Sequence, residues 1–336
     1  MKPLVLARVP EPDFRRSGLA DMTLGFLLFR FIWGPQPSQD ELAHHLGPRI
    51  RSHDGLGAKH WSDWRSGGKA SENRSYRNLS LADFCQHYET VELWFDAHPG
   101  DQLTLIWLLD YFKSHPETVS RLKLRLVDRD IIDPDVVADR KLPIVEVTER
   151  ELATASAAWQ AYRSATPEAC VDLLQRDLSA LPLLKPAMLD LLAELPSAST
   201  GLGASEMRML ELIARGYSRT NALFHLRELR RTCVFGEFEL GDLLEGVAHG
   251  PLPAVAGLDD VLRTTTRDNL KARDEAYKRS HLSLTDFGKA VLAHKEDFSR
   301  HNPIDRWWGG THLTNDNLWR WNPALVKPLQ AVGQAT

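Results

Sequence analysis

The chain has 336 residues, with 41 Lys and Arg against 45 Asp and Glu and a formal net charge of -4. That length is enough for two domains with sizeable cores, and the slightly acidic balance argues against a global basic field that would draw nucleic acid. The three cysteines, Cys85, Cys170 and Cys233, stand far apart with no Cys-x-x-Cys pair, which argues against a disulfide framework or a zinc cluster and suits a reducing cytoplasm.

The first residues, MKPLVLARVPEPDF, hold a very short apolar run broken by Pro10 and Pro12 and do not read as a signal peptide. The run TLGFLLFRFIW contains Arg30 and is too short to span a bilayer. A cytoplasmic protein with no membrane partner is therefore expected. Leu4 to Ala7 is predicted as the first strand. The loop after it carries Glu11 and Asp13, a common ligand-binding position in an open α/β sheet, although two prolines deny it backbone N–H donors. Residues 23–33 are β-capable, and 39–46 are predicted as a helix. His44 and His45 are adjacent and face different directions, so they read as surface histidines and not as a metal pair. Residues 51–78 are polar and read as a long loop, functional or disordered. His53, Asp54, His60 and Asp63 match no ligand spacing there, and no metal is expected.

The most informative stretch is ETVELWFDAHPGDQLTLIWLLDYFKSHPETVSRLKLRLVD, residues 89–128. It reads as strand, turn, helix, loop, strand. Val91, Leu93, Trp94 and Phe95 form an apolar run rich in β-formers, read as an inner strand. Pro99 suits a first helical position, and Asp101 falls in the first turn, where a carboxylate meets the positive end of the helix dipole. From Leu103 to Phe112 nearly every residue is apolar, so the helix is predicted to be buried on most sides. Such a βαβ unit forms a parallel sheet, and its ligands collect at the carboxyl ends of the strands. Asp96, His98, Asp101 and Gln102 stand there, with Asp13 approaching from the first loop. The free N–H groups of the helix start are expected to face that cleft. No Gly-x-Gly-x-x-Gly and no phosphate-loop Lys is present, so a polar neutral or cationic ligand is expected in place of a phosphate, and no cofactor follows from the sequence.

Beyond this stretch, helices are predicted over 148–163, 167–178 and 186–195. The small-residue run at 196–203 then reads as a domain joint. Met207, Leu210, Ile213 and Ala214 mark an amphipathic helix, followed by helices over 218–231 and 237–249, with Thr285 able to cap a later one. These divisions predict an α/β domain over 1–145 with a mostly parallel, Rossmann-like sheet, a helical connector over 146–200, and a mainly helical, winged-helix-like domain over 201–336. Helix-turn-helix units often read DNA, and Arg227, Arg230 and Arg231 cluster locally, but the basic and acidic residues over 206–300 balance. The tail is dense in Trp307, Trp308, Trp319 and Trp321, with Gly309-Gly310 fitted for a tight turn, and reads as a clasp of buried rings.

The stretches LWFDAHPGDQLTLIWLLDYF, LAELPSASTGLGASEMRMLELIARG and LTDFGKAVLAHKEDF…IDRWWGGTHL…WRW resemble bacterial proteins classed under domain of unknown function 1835 with its accompanying C-terminal domain. Leu93, Trp94, Phe95, Asp96, Asp101 and Gln102 match the central motif of that group. The resemblance implies an architecture and no activity. Relatives often follow the first strand with Gly-Asp-Ser, where this chain has VPEPDF. Two function classes follow: a regulatory protein that binds a small molecule or partner at the sheet edge, or a hydrolase or transferase using Asp96, His98 and Asp101. A DNA-binding regulator is the remaining alternative.

Overall fold

The computed structural model describes residues 3–8, 20, 22–26, 29–49, 60–67, 78–126, 143–225, 234–322 and 327–330. The chain forms two compact units, one of Met1–Ser164 with Asp172–Met188, the other of Ala165–Val171 with Leu189–Thr336.

In the first unit six strands form one sheet: β1 (Leu4–Ala7), β2 (Met22–Gly25), β3 (Arg65–Gly67), β4 (Val91–Phe95), β5 (Leu122–Leu126) and β6 (Ile144–Glu146). Their order is β3-β2-β1-β4-β5-β6. The four middle strands are parallel, and the edge strands β3 and β6 run antiparallel to their neighbours. The class is α/β with a mostly parallel sheet. β4 is an inner strand, paired with β1 through Leu4↔Val91 to Ala7↔Trp94 and with β5 through Val91↔Leu122 to Phe95↔Leu126. Its five residues are all buried. One of them is Glu92, whose carboxylate accepts from Trp94 Nε1 at 2.8 Å and from Arg125 Nε and Nη2 at 3.0 and 2.8 Å. The two-pronged Arg125 contact is what lets a charged group sit inside a parallel sheet, since a buried carboxylate needs a partner.

The Pro99–Phe112 helix is buried at every residue except Asp110 and Tyr111. It packs against the Glu149–Tyr162 helix, which a Thr148–Glu151 capping box starts. Phe26, Phe29 and Phe31 set their rings edge-on against Trp107, at centroid distances of 6.1, 5.6 and 5.1 Å. Phe31 meets Trp159 in the same manner at 4.9 Å, and Tyr162 donates its hydroxyl to the Phe31 carbonyl at 3.0 Å. The Gln39–Leu46 helix forms as predicted, with Ser38 and Glu41 in a capping box. The surface placement expected for His45 is not what the structure holds. Its ring is buried in this aromatic cluster, 5.1 Å from Phe29, because the apolar face of that helix turns inward through Leu42, His45 and Leu46.

The second unit is helical with small sheets. Its helices include Ala204–Ala214, Thr220–His225, Glu237–His249, Leu270–Arg279 and Asp286–Leu292, the last capped by Thr285 as predicted. Val255–Ala256 and Ser283–Leu284 pair antiparallel. The tail forms a hairpin, Asp305–Trp308 with Thr311–Thr314, and Gly309 at its turn has φ +54. The 196–203 run lies inside this unit, shortly after the division at Met188–Leu189. Backbone bonds from Ala198 N to Trp321 O (3.1 Å) and from Trp321 N to Pro196 O (2.9 Å) tie it to the tail. Glu194 and Glu206 flank the start of the Ala204–Ala214 helix. Glu194 accepts from Ser205 Oγ at 2.6 Å, Glu206 accepts from Gly203 N at 2.7 Å, and Arg306 of the hairpin reaches Glu206 at 3.0 Å. Burial pushes the Glu194 carboxyl up to about 7.

Trp308, Trp319 and Trp321 are buried, and Trp308 donates its indole N–H to the Leu191 carbonyl at 2.6 Å. Trp307 is only half-buried and stacks on His312 at 4.5 Å. Trp308→Ala should cost ~3–5 kcal/mol in urea denaturation. Trp307→Ala should stay within about 1.5 kcal/mol, the scale of a single ring pair. Equal losses from the two substitutions would show that the tail is not anchored through Trp308.

Candidate functional site

The strand order reverses between β1 and β4: β2 lies to one side of β1 and β5 to the other side of β4. In an open parallel sheet the crevice at the carboxyl ends of such a pair is the ordinary ligand position. Arg8 directly follows β1, and Asp96 directly follows β4. Asp96, His98, Asp101 and Gln102 are brought together on the turn from β4 into the Pro99–Phe112 helix. Asp13 lies outside the described residues, as do Glu11, His53, Asp54 and the Arg227–Arg231 cluster.

Three of the four residues on this turn bond to the turn itself. Asp96 Oδ1 accepts from His98 N at 2.5 Å, and the Gln102 amide donates to the Asp96 carbonyl at 2.6 Å. His98 is the residue that caps the helix. Its ring Nδ1 accepts from Gly100 N at 3.0 Å, which puts the proton of the neutral ring on Nε2. Gly100 allows that closeness, because a Cβ there would stand 3.2 Å from the same Nδ1 and 3.3 Å from Ile32. The expectation that the helix start offers free N–H groups to a ligand is overturned. Pro99 has none, the His98 ring takes that of Gly100, and those of Asp101 and Gln102 donate to the His98 carbonyl at 2.9 and 3.0 Å. A phosphate would find no free donors there.

Asp101 is different. Its carboxylate is 13% exposed and accepts from Arg8 Nε at 2.8 Å. Burial pushes its pKa well above the usual carboxylate range. Arg8 pulls it back, while the charge of Asp96 and a hydrogen bond shared with the Asp96 carboxyl push it up again. The site therefore sets the Asp101 carboxyl, its pKa raised by burial, beside the Asp96 carboxyl and a guanidinium that is 31% exposed. Sequence reading missed Arg8. The signal was available, since Arg8 is the first residue past β1 at the carboxyl edge.

Gln102 also borders a narrow apolar crevice with Phe95, Leu105, Leu124 and Leu181, too tight to hold a water molecule. Its Oε1 is buried without a hydrogen-bond partner among the described residues. His60, a weighed metal candidate, has both ring nitrogens engaged, with Ser62 Oγ at 2.9 Å and the Gly47 carbonyl at 2.7 Å. Among the described residues no group of three or more His, Cys, Asp or Glu is arranged to hold a metal, and no helix is long and apolar enough to cross a membrane.

Removing the cap by His98→Ala should cost ~0.5–2 kcal/mol, and His98→Asn should recover most of it. An Asn variant as unstable as Ala would show that the ring matters by packing and not by capping. The pH test concerns Asp101. Its folded pKa is raised, so its stabilising contribution is complete below the unfolded value and is lost as pH rises through the folded value. The melting temperature of the wild type minus that of Asp101→Asn should therefore fall as pH rises above the ordinary carboxylate range. A flat or rising difference would mean that Asp101 is ionised throughout.

No family model matches this chain, and no curated protein matches it.

Proposed function

We propose that the chain is a cytoplasmic regulatory protein that binds a small polar molecule at the carboxyl edge of β1 and β4, against Asp101, Asp96 and Arg8. The single observation that carries this is the Asp101 carboxyl, removed from water beside Arg8 and Asp96 at the point where the strand order reverses. The parallel order of the middle strands supports a Rossmann-like reading of the first unit. The helices of the second, followed by a short antiparallel pair and the Thr285-capped helix, support a winged-helix-like module that responds to the bound state. Kinship with the domain-of-unknown-function 1835 group is part of the same proposal. The absence of free N–H groups at the helix start favours a neutral or cationic ligand over a phosphate.

A second reading has its own support. Two adjacent carboxyls, one of them with its pKa raised by burial, are the arrangement that general acid and base work needs in a hydrolase or transferase. DNA binding through the second unit has no such observation among the described residues.

The test is thermal melting of the whole chain with nucleosides, sugars and diamines, with nucleotides as anionic controls. A ligand present at about 100 times its Kd should stabilise the fold by ~2.7 kcal/mol. Asp101→Asn should abolish that shift while the unliganded variant still melts cooperatively. A shift that survives Asp101→Asn, or one produced by nucleotides alone, would overturn the assignment. Turnover of a stabilising compound, lost in the same variant, would select the enzyme.

A further inference from the structure

Glu194 stands just past the Leu184–Ala193 helix and is 5% exposed. Its carboxylate accepts from Ser205 Oγ at 2.6 Å and from Ser205 N at 3.1 Å, at the start of the Ala204–Ala214 helix. The charged groups that face it are Glu206, from that second helix, and Arg306, from the tail hairpin. Arg306 Nη1 lies 3.0 Å from Glu206 Oε2, and its Nη2 donates to the backbone carbonyl of Glu194 at 3.4 Å. The guanidinium is therefore engaged by Glu206 and by a peptide oxygen. Among the described residues, the Glu194 carboxylate holds two hydrogen bonds from a serine and no ion pair.

The packing leaves that carboxylate little room for water. A Cβ on Gly203 would stand 2.7 Å from the Glu194 carbonyl oxygen and 3.1 Å from Glu194 Oε2, so backbone lies directly against the group. Trp308, on the same hairpin as Arg306, is 4% exposed and donates to the Leu191 carbonyl at 2.6 Å, which closes the hairpin onto the same stretch. A carboxylate removed from water without a cation is costly, and a neutral carboxyl far less so. Two carboxylates set against one guanidinium balance in charge only when one of them carries a proton. Glu206 holds Arg306, so the proton falls to Glu194. Burial, and after it the charge of Glu206, push the Glu194 carboxyl up to about 7 against the pull of Ser205 and Arg306.

We infer that this junction is a proton-dependent clasp: a proton on Glu194 lets residues 203–205 and the tail hairpin close over the end of the Leu184–Ala193 helix, and its loss loosens both. Without the proton the closed form holds a buried charge that only water can relieve. In the loosened form the carboxyl meets water and titrates in the ordinary glutamate range, whereas in the closed form it keeps its proton up to about 7. The closed form is therefore fully favoured below the ordinary range and loses that advantage as pH rises to about 7. Acid tightens the clasp and neutral pH loosens it. The site at the sheet edge plays no part in it.

The experiment is amide hydrogen exchange of the whole chain across a pH series, read by mass spectrometry in peptides covering 194–206 and 304–314 and corrected for the intrinsic pH dependence of exchange. Protection of both stretches should fall about tenfold for each pH unit between about pH 5 and about pH 7 and level off above that. Glu194→Gln has the same shape and cannot ionise, so it should keep the protection of the acidic wild type at every pH. Glu206→Gln retains an acceptor for Gly203 N, removes the like charge and leaves Arg306 to Glu194, so the levelling-off should move to lower pH. Asp101→Asn should leave the profile of these peptides unchanged, which separates the clasp from the titration at the sheet edge. A flat profile in the wild type would overturn the inference. So would an unaltered profile in Glu194→Gln, a levelling-off that stays put or rises in Glu206→Gln, or loss of the pH dependence in Asp101→Asn.

Discussion

Everything in the first unit answers to one constraint: the Pro99–Phe112 helix has no polar face. A helix with Leu103, Leu105, Ile106, Trp107, Leu108 and Leu109 in one run exposes apolar surface in every direction, so no single partner can cover it. The sheet, the Glu149–Tyr162 helix and the ring cluster of Phe26, Phe29 and Phe31 together supply that cover. Each buried large side chain contributes about 1.5–3 kcal/mol, so the helix is a large contributor to the unit's stability. The same constraint fixes the site. Because the helix body cannot move outward, its first turn is pinned against the end of β4, and Asp101 is carried out of water along with it.

The turn shows how one short motif serves two ends. Asp96, His98 and Gln102 read equally well as ligands or as the bonds of a helix start, and they make those bonds. The residue left with chemistry to offer is Asp101, whose partners come from Arg8 on a different strand and from Asp96. The functional reading therefore moves from the turn as a whole to one carboxyl pair and its guanidinium.

Charge is handled differently in the second unit. Glu194 and Glu206 are buried at the start of the Ala204–Ala214 helix, where a partly buried Arg306 meets them, and Arg273, Glu245 and Tyr277 form a second satisfied group. Both groups tie distant parts of the chain together. Arg306 belongs to the tail hairpin, and Trp321 further along the tail bonds to the backbone of the small-residue run at 196–203.

Local pattern settled much of this protein. The inner strand Val91–Phe95, the buried helix after Pro99, the 39–46 helix, the Thr285 cap and the turn at Gly309 follow from apolar spacing and from the few residues able to cap or to turn. The Leu270–Arg279 helix did not announce itself, because only Arg273 and Ala276 are buried in it and its pattern is mostly polar. The burial of His45 and of Glu92 was equally silent: each is tolerable only because of a partner, an aromatic cluster for one and Arg125 for the other, contributed from elsewhere in the chain. The sequence by itself determined which segments had to be buried and where the chain could turn. Only the tertiary structure decided which polar groups face one another, because the energy of a buried charge depends on neighbours that spacing along the chain does not specify.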